Sequence, residues 1–204
     1  VDYRGDARTH ALILHERTND RSLAMTSSFT NMVLAARFLG FLDRPAEYQE
    51  TVHRLSGIAG HILIRHAQSL SEAAHDDYSF ALYLGAGCRL GAAHEASLKM
   101  MEMSAGRTRT MVETYLGLRH GPMAAVHDDT LIVCFLSTDE LARAYEVDLI
   151  RELNRKKLGK RKVIVGEGIP DDLLRRGDVA VECPGMKQVG DDNVAVIDVL
   201  TGQL

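Results

Sequence analysis

Three charged residues at helical spacing, Glu95, Lys99 and Glu102, are the sharpest chemical feature of the sequence. They stand at i, i+4 and i+7 in the run Gly91-Ala-Ala-His-Glu95-Ala-Ser-Leu-Lys99-Met-Met-Glu102-Met-Ser104, so on a helix all three project from one face. Leu98 and Met101 then point to other sides and are available for packing. Such a stripe is either a solvated ladder of ion pairs or a set of charges turned toward a ligand. By spacing alone the ladder is the usual case, and two features shift the balance modestly toward the second reading: the surroundings are small and apolar, and the helix follows a glycine-rich turn at the end of an apolar run. That turn is where open parallel sheets bind ligands.

The turn itself, Leu84-Gly-Ala-Gly-Cys-Arg-Leu90, makes Gly85, Gly87 and Arg89 candidates for contact with an anionic group at a helix N-terminus. Glycines at 85, 87 and 91 do not form a GxGxxG fingerprint, and the lysine of a Walker loop is absent. A tight turn that needs positive φ is the competing explanation. A further candidate is His120 in Tyr115-Leu-Gly-Leu-Arg-His120-Gly-Pro122. Gly-Pro bends the chain and starts a new helical turn, which presents the imidazole at a turn, with a titration range suited to acid/base work. An ordinary surface histidine has the same local sequence.

Other chemistries find no support. His94-Glu95 is followed by Leu98 where an HExxH zinc site needs its second histidine, so no metal is expected. No GxSxG elbow is present, and no cofactor is expected. Cys88, Cys134 and Cys183 are scattered and odd in number, which fits a reducing cytoplasm better than a disulfide framework. The net charge of -4 is small and basic residues cluster only at 155–162, as at a helix end, so nucleic acid is not an expected partner. No run of about 18 apolar residues is present, so no membrane is expected either.

The elements that must position these residues alternate between short apolar runs and longer helical patterns, which predicts an α/β fold. Strands are expected at 11–15, 80–84, 110–115, 131–136, 162–165 and 179–182. Several are apolar on both faces, as in a parallel sheet. Helices are expected at 22–42, 46–70, 90–103, 121–126 and 140–158, and from 193 onward. The second carries a Val52, Leu55, Ile58, Ile62 stripe behind Pro45. Ser137, Thr138 or Asp139 would cap the helix at 140, and Gly159 would stop it. The chain opens just before an apolar run and closes inside a helical one, which suggests a piece of a longer protein.

Taken together, Glu95-x-x-x-Lys99-x-x-Glu102 followed by His120-Gly121-Pro122 resembles the signature of the second SIS (sugar isomerase) domain of sugar-phosphate isomerases. The run Asn19-Asp-Arg-Ser-Leu-Ala-Met-Thr-Ser-Ser-Phe-Thr30 is similar to the tagatose-6-phosphate ketose/aldose isomerase branch, also described as galactosamine-6-phosphate deaminase/isomerases. The resemblance implies a flavodoxin-like, three-layer fold with a parallel sheet between helices. Residues 1–76 would be the C-terminal remnant of a first SIS unit with connecting helices, and 77–204 a second unit. It further implies that Glu102 moves a proton between adjacent sugar carbons through an enediol or enolamine. Lys99 and Glu95 would orient and charge-balance that base. His120 would open the sugar ring, from a neighbouring subunit of a homodimer or larger assembly. Thr26, Ser27 and Ser28 would contact the sugar phosphate, unless they serve as ordinary helix caps. The alternative within the resemblance is a sugar-phosphate sensor without catalysis, which would need no proton shuttle.

Overall fold

The computed structural model describes residues 5–22 and 24–204. Five short runs form the strands β1 (Phe80–Leu84), β2 (Arg109–Glu113), β3 (Thr130–Phe135), β4 (Arg161–Gly166) and β5 (Val179–Glu182). They lie in the order β2-β1-β3-β4-β5 and every neighbouring pair is parallel. This is the flavodoxin-like order, and helices cover both faces. Alternation along each strand sends Tyr83, Val133, Val165 and Val181 to one core and Leu82, Ile132, Cys134 and Ile164 to the other. That double burial explains why β3 is apolar almost throughout.

On the first face lie α2 (Pro45–Arg65), α3 (Ala67–Ala74), α4 (Arg89–Met103), α7 (Met186–Val189) and α8 (Asp191–Gln203). The helix α1 (Ser27–Phe38) packs outside them through Val33 and Leu34. The second face carries α5 (Tyr115–Arg119) and α6 (Glu140–Arg155). Leu55, Ile58 and Ile62 of α2 are buried as their spacing requires, together with Tyr48. Among the described residues no helix is long and apolar enough to cross a membrane.

Several boundaries differ from expectation. Residues 11–15 form no strand, and Ile13 is 90% exposed; a short apolar run becomes a strand only where a sheet edge accepts it. The helix expected over 46–70 breaks at His66, whose φ of -120° interrupts the ladder between α2 and α3. Tyr115 begins α5 rather than ending β2, because Thr114 caps that helix by accepting from the Gly117 N–H. Residues Pro122–Ala125 are a 3-10 turn.

At α6 the cap is Asp139, whose carboxylate accepts from Ala142 N at 2.8 Å; Ser137 and Thr138 are used elsewhere. Replacing Asp139 by Ala should lower stability by about 1 kcal/mol in urea unfolding, the usual worth of such a cap. The helix ends at Arg155, and Lys157 beyond it takes φ +56° while Leu158 N bonds back to Leu153 O, so the left-handed stop residue falls two positions before Gly159.

Two glycines allow the packing that places the charged stripe. A Cβ on Gly85 would lie 2.7 Å from Arg89 O, inside the first turn of α4. One on Gly202 would lie 2.5 Å from Ala96 Cβ, so α8 can lie against α4 beside Glu95 only without it.

Candidate functional site

The α4 stripe is inverted relative to an ordinary amphipathic helix. Glu95 and Lys99 are each 8% exposed, whereas Leu98 is 42% and Met101 46% exposed. Leu98 and Met101, expected to pack, therefore face outward, and a solvated ion-pair ladder is ruled out for the inner two charges. Lys99 Nζ lies 2.8 Å from Glu102 Oε2 and 3.4 Å from Glu95 Oε1. Burial works against the charge on Lys99, but the hydrogen bond to Glu102 and the charge of Glu95 outweigh it and hold its pKa above the ordinary value. Lys99 thus fixes the direction of the Glu102 carboxylate, whose side chain is 34% exposed at the last turn of α4.

Two residues that the sequence pattern did not single out complete this network. Gln203 Nε2 donates to Glu95 Oε1 at 3.2 Å, and Thr30 Oγ1 donates to Gln203 Oε1 at 3.0 Å. A glutamine at the end of an apolar helix carries no signal of its own; only the packing of α8 on α4 brings it there. Lys99 and Gln203 line a cleft of about 570 Å³ at the N-terminal edge of the sheet, with His75, Arg107 and Thr108. Gln203 also borders a second cavity of about 290 Å³ with Thr26, Ser27 and Thr30. Glu102 lines neither.

Known proteins share this arrangement of chain. A D-galactosamine-6-phosphate deaminase of Escherichia coli is 32% identical over 162 residues, 76% of this chain and 40% of that protein. A provisionally named D-galactosamine-6-phosphate deaminase of Streptomyces coelicolor is 33% identical over 201 residues, 97% of this chain and 50% of its own length. The crystal structure of tagatose-6-phosphate ketose/aldose isomerase from Escherichia coli superposes with a TM-score of 0.83 at 28% identity, covering 95% of this chain and 52% of that one. The chain belongs to the SIS family of sugar-phosphate isomerases. It spans about half the length of the curated relatives it matches. No family model matches it.

Thr26, Ser27 and Ser28 open α1 beside the C-terminus of α8, on the Glu95 side. Asp20 occupies that helix start. Its carboxylate accepts from the hydroxyls of Thr26 and Ser28 and from the backbone N–H groups of Thr26, Ser27 and Ser28, at 2.9–3.1 Å. The backbone bonds to Ser28 and Ser27, together with those hydroxyls, hold the Asp20 carboxyl well below its ordinary range despite some desolvation. The cap is thus an aspartate seven residues upstream of Ser27, and the Thr26 side chain makes no cap bond of its own.

His120 is exposed at the end of α5, which Arg119 ties to α6 through Asp148 at 2.6 Å and Glu152 at 2.8 Å. α4 and α5 lie on opposite faces of the sheet. One copy of the chain therefore brings Glu95, Lys99 and Glu102 together and leaves His120 on the other side.

Gly85, Gly87 and Arg89 sit at the opposite end of α4 from Glu102, where the loops after β1 and β3 diverge. Gly87 has φ +57°, as a tight turn requires. Arg89, expected to meet a ligand, is instead fully buried against α8: Nη2 lies 2.9 Å from Asp191 Oδ1 and Nη1 lies 3.2 Å from Asp198 Oδ2. Glu146 joins this cluster by accepting from Ser137 N at 2.7 Å.

Burial pushes the carboxyl of Asp198 up from 3.8 to about 7, against the pull of Arg89 and with the support of Asp191 and Glu146. Glu146 is likewise pushed up to about 7 by burial, against its bond to Ser137 N and the charges of Arg89 and Arg143. Both acids hold protons in the folded chain that the unfolded chain has released. Their contribution to stability is therefore full below about pH 4 and is lost as pH rises through about 7. Asp191 has the opposite sign, because its bonds to Ser137 and Thr138 and the charge of Arg89 depress its pKa in spite of desolvation. The melting temperature should fall as pH rises from about 4 to about 7 and level off above that, and Asp198→Asn should remove about half of that slope, since Glu146 remains. An unchanged slope in the variant would show that Asp198 is already ionised.

Proposed function

We propose that this chain supplies the proton-transfer residues of an aldose–ketose isomerase, or isomerizing deaminase, acting on a phosphorylated sugar or amino sugar such as tagatose 6-phosphate or galactosamine 6-phosphate. The observation that carries the proposal is the inverted α4: a buried Lys99 braced by Glu95 and aimed at the half-exposed Glu102. Burying two charges at the cost of exposing leucine and methionine is unfavourable unless the arrangement serves the carboxylate at its end.

Glu102 is the base. It takes the C2 proton of the open-chain aldose and returns it to C1 through a cis-enediol, or through an enolamine when C2 bears nitrogen. In the amino-sugar case the resulting ketimine takes up water and releases ammonia, leaving the ketose phosphate. Lys99 keeps Glu102 oriented and offers compensating positive charge; Glu95, held by Gln203, keeps Lys99 in place. His120 passes a proton to the ring oxygen when the bound sugar is cyclic, and it comes from a second copy of the chain. Exposed apolar side chains beside both groups, Met101 and Met103 near Glu102 and Leu116 near His120, fit a homodimeric or larger contact.

In this scheme residues 1–76 close a first SIS unit and link it to a second at 77–204, and 11–15 would find strand partners in the first. Arg89 takes no part in substrate binding. The direct test is to incubate the full-length protein with galactosamine 6-phosphate and with tagatose 6-phosphate while following ketose and ammonia. Ketose with stoichiometric ammonia from the amino sugar marks the deaminase, and interconversion of tagatose 6-phosphate without ammonia marks the isomerase. Binding of both without turnover would leave the sensor alternative and remove the catalytic one.

A further inference from the structure

The strands β1 and β3 are neighbours whose following helices, α4 and α6, go to opposite faces of the sheet. The crevice between their loops is the place where a sheet of this order holds its ligand. Here a side chain of the same chain occupies it. Asp191, the first residue of α8, accepts from Thr138 N at 2.7 Å, from Thr138 Oγ1 at 2.6 Å, from the Ser137 hydroxyl and from Arg89 Nη2 at 2.9 Å. Its backbone carbonyl also accepts from Cys88 Sγ in the other loop. Two hydroxyls, one backbone N–H and one guanidinium converging on one anion is the donor set that a phosphate oxyanion requires.

One further observation shows that the donors here exceed what the Asp191 carboxylate takes up. Arg89 is fully buried, and its Nε has no hydrogen-bond partner among the described residues. Its second carboxylate, Asp198, sits at the longer distance of 3.2 Å. Asp191 alone is part-exposed, at the crevice mouth, and the N-terminus of α8 adds its own preference for negative charge.

We propose that the switch-point crevice of this unit is a phosphate-type oxyanion site filled permanently by the carboxylate of Asp191. The native unit then binds no phosphomonoester there. The sugar phosphate is held elsewhere, and the crevice carries structural load by locking α8, whose far end holds Glu95. The assignment does not depend on the role of Glu102.

Removal of the resident carboxylate should open the site to inorganic phosphate. In Asp191→Ala the melting temperature should drop, and phosphate at about 100 mM should raise it by ~5 °C more than it raises that of the wild type. The double variant Asp191→Ala, Thr138→Val should lose that extra shift. If Asp191→Ala is unfolded without phosphate, near-UV circular dichroism should return when phosphate is added. Equal shifts in wild type and variant, an extra shift that survives Thr138→Val, or an unfolded variant that phosphate does not restore would each overturn the proposal.

Discussion

Glu102→Gln should lower turnover by about a hundredfold to ten-thousandfold while substrate binding stays within about tenfold. The amide keeps the size and most hydrogen bonds of the carboxylate but cannot accept a proton from carbon, and general-base catalysis is commonly worth 10² to 10⁴. Lys99 donates to Glu102 at 2.8 Å and can still donate to the amide oxygen, so the pocket should keep its shape. The measurement is kcat and KM for the full-length protein, with direct binding of the substrate to the variant. Unchanged turnover would remove Glu102 as the base. A loss confined to KM would instead make it a binding group.

His120→Asn should cost about a hundredfold on a cyclic substrate and less than about tenfold on an open-chain analogue, since only the former needs proton transfer to the ring oxygen. The fold adds a sharper form of this test. Because α4 and α5 lie on opposite faces of the sheet, Glu102 of one copy is proposed to work with His120 of another. Mixed subunits of Glu102→Gln and His120→Asn should then recover activity that neither variant has alone. Random reassortment of a dimer makes half the molecules mixed, each with one intact site, so recovery of about a quarter of wild-type turnover is expected. No recovery after verified subunit exchange would place both residues in the same copy's site, or remove His120 from the chemistry.

Much of the fold was legible because its signals are local. Phe80–Leu84 matches its strand to the residue, since a strand buried on both faces must be apolar throughout, and the β-branched run Val179–Glu182 matches the edge strand β5 equally well. The Glu95, Lys99, Glu102 spacing placed three charges on one helical face without any knowledge of what that face meets. The same local rules failed at 11–15, where strand propensity had no edge to pair with. They also failed at Gly159, where Lys157 took the left-handed conformation first.

What the sequence determined by itself was the alternation of elements, the shared face of the three charges and the family. These depend on periodicity and on residue type at short range. Tertiary structure alone decided that the charged face of α4 is the buried one, that Gln203 and Thr30 support it across 108 and 173 residues of chain, and that Arg89 is sealed behind Asp191. Burial and long-range hydrogen bonding are properties of how helices pack on a sheet. A helical repeat of 3.6 residues says which side chains share a face, and never which neighbour that face will find.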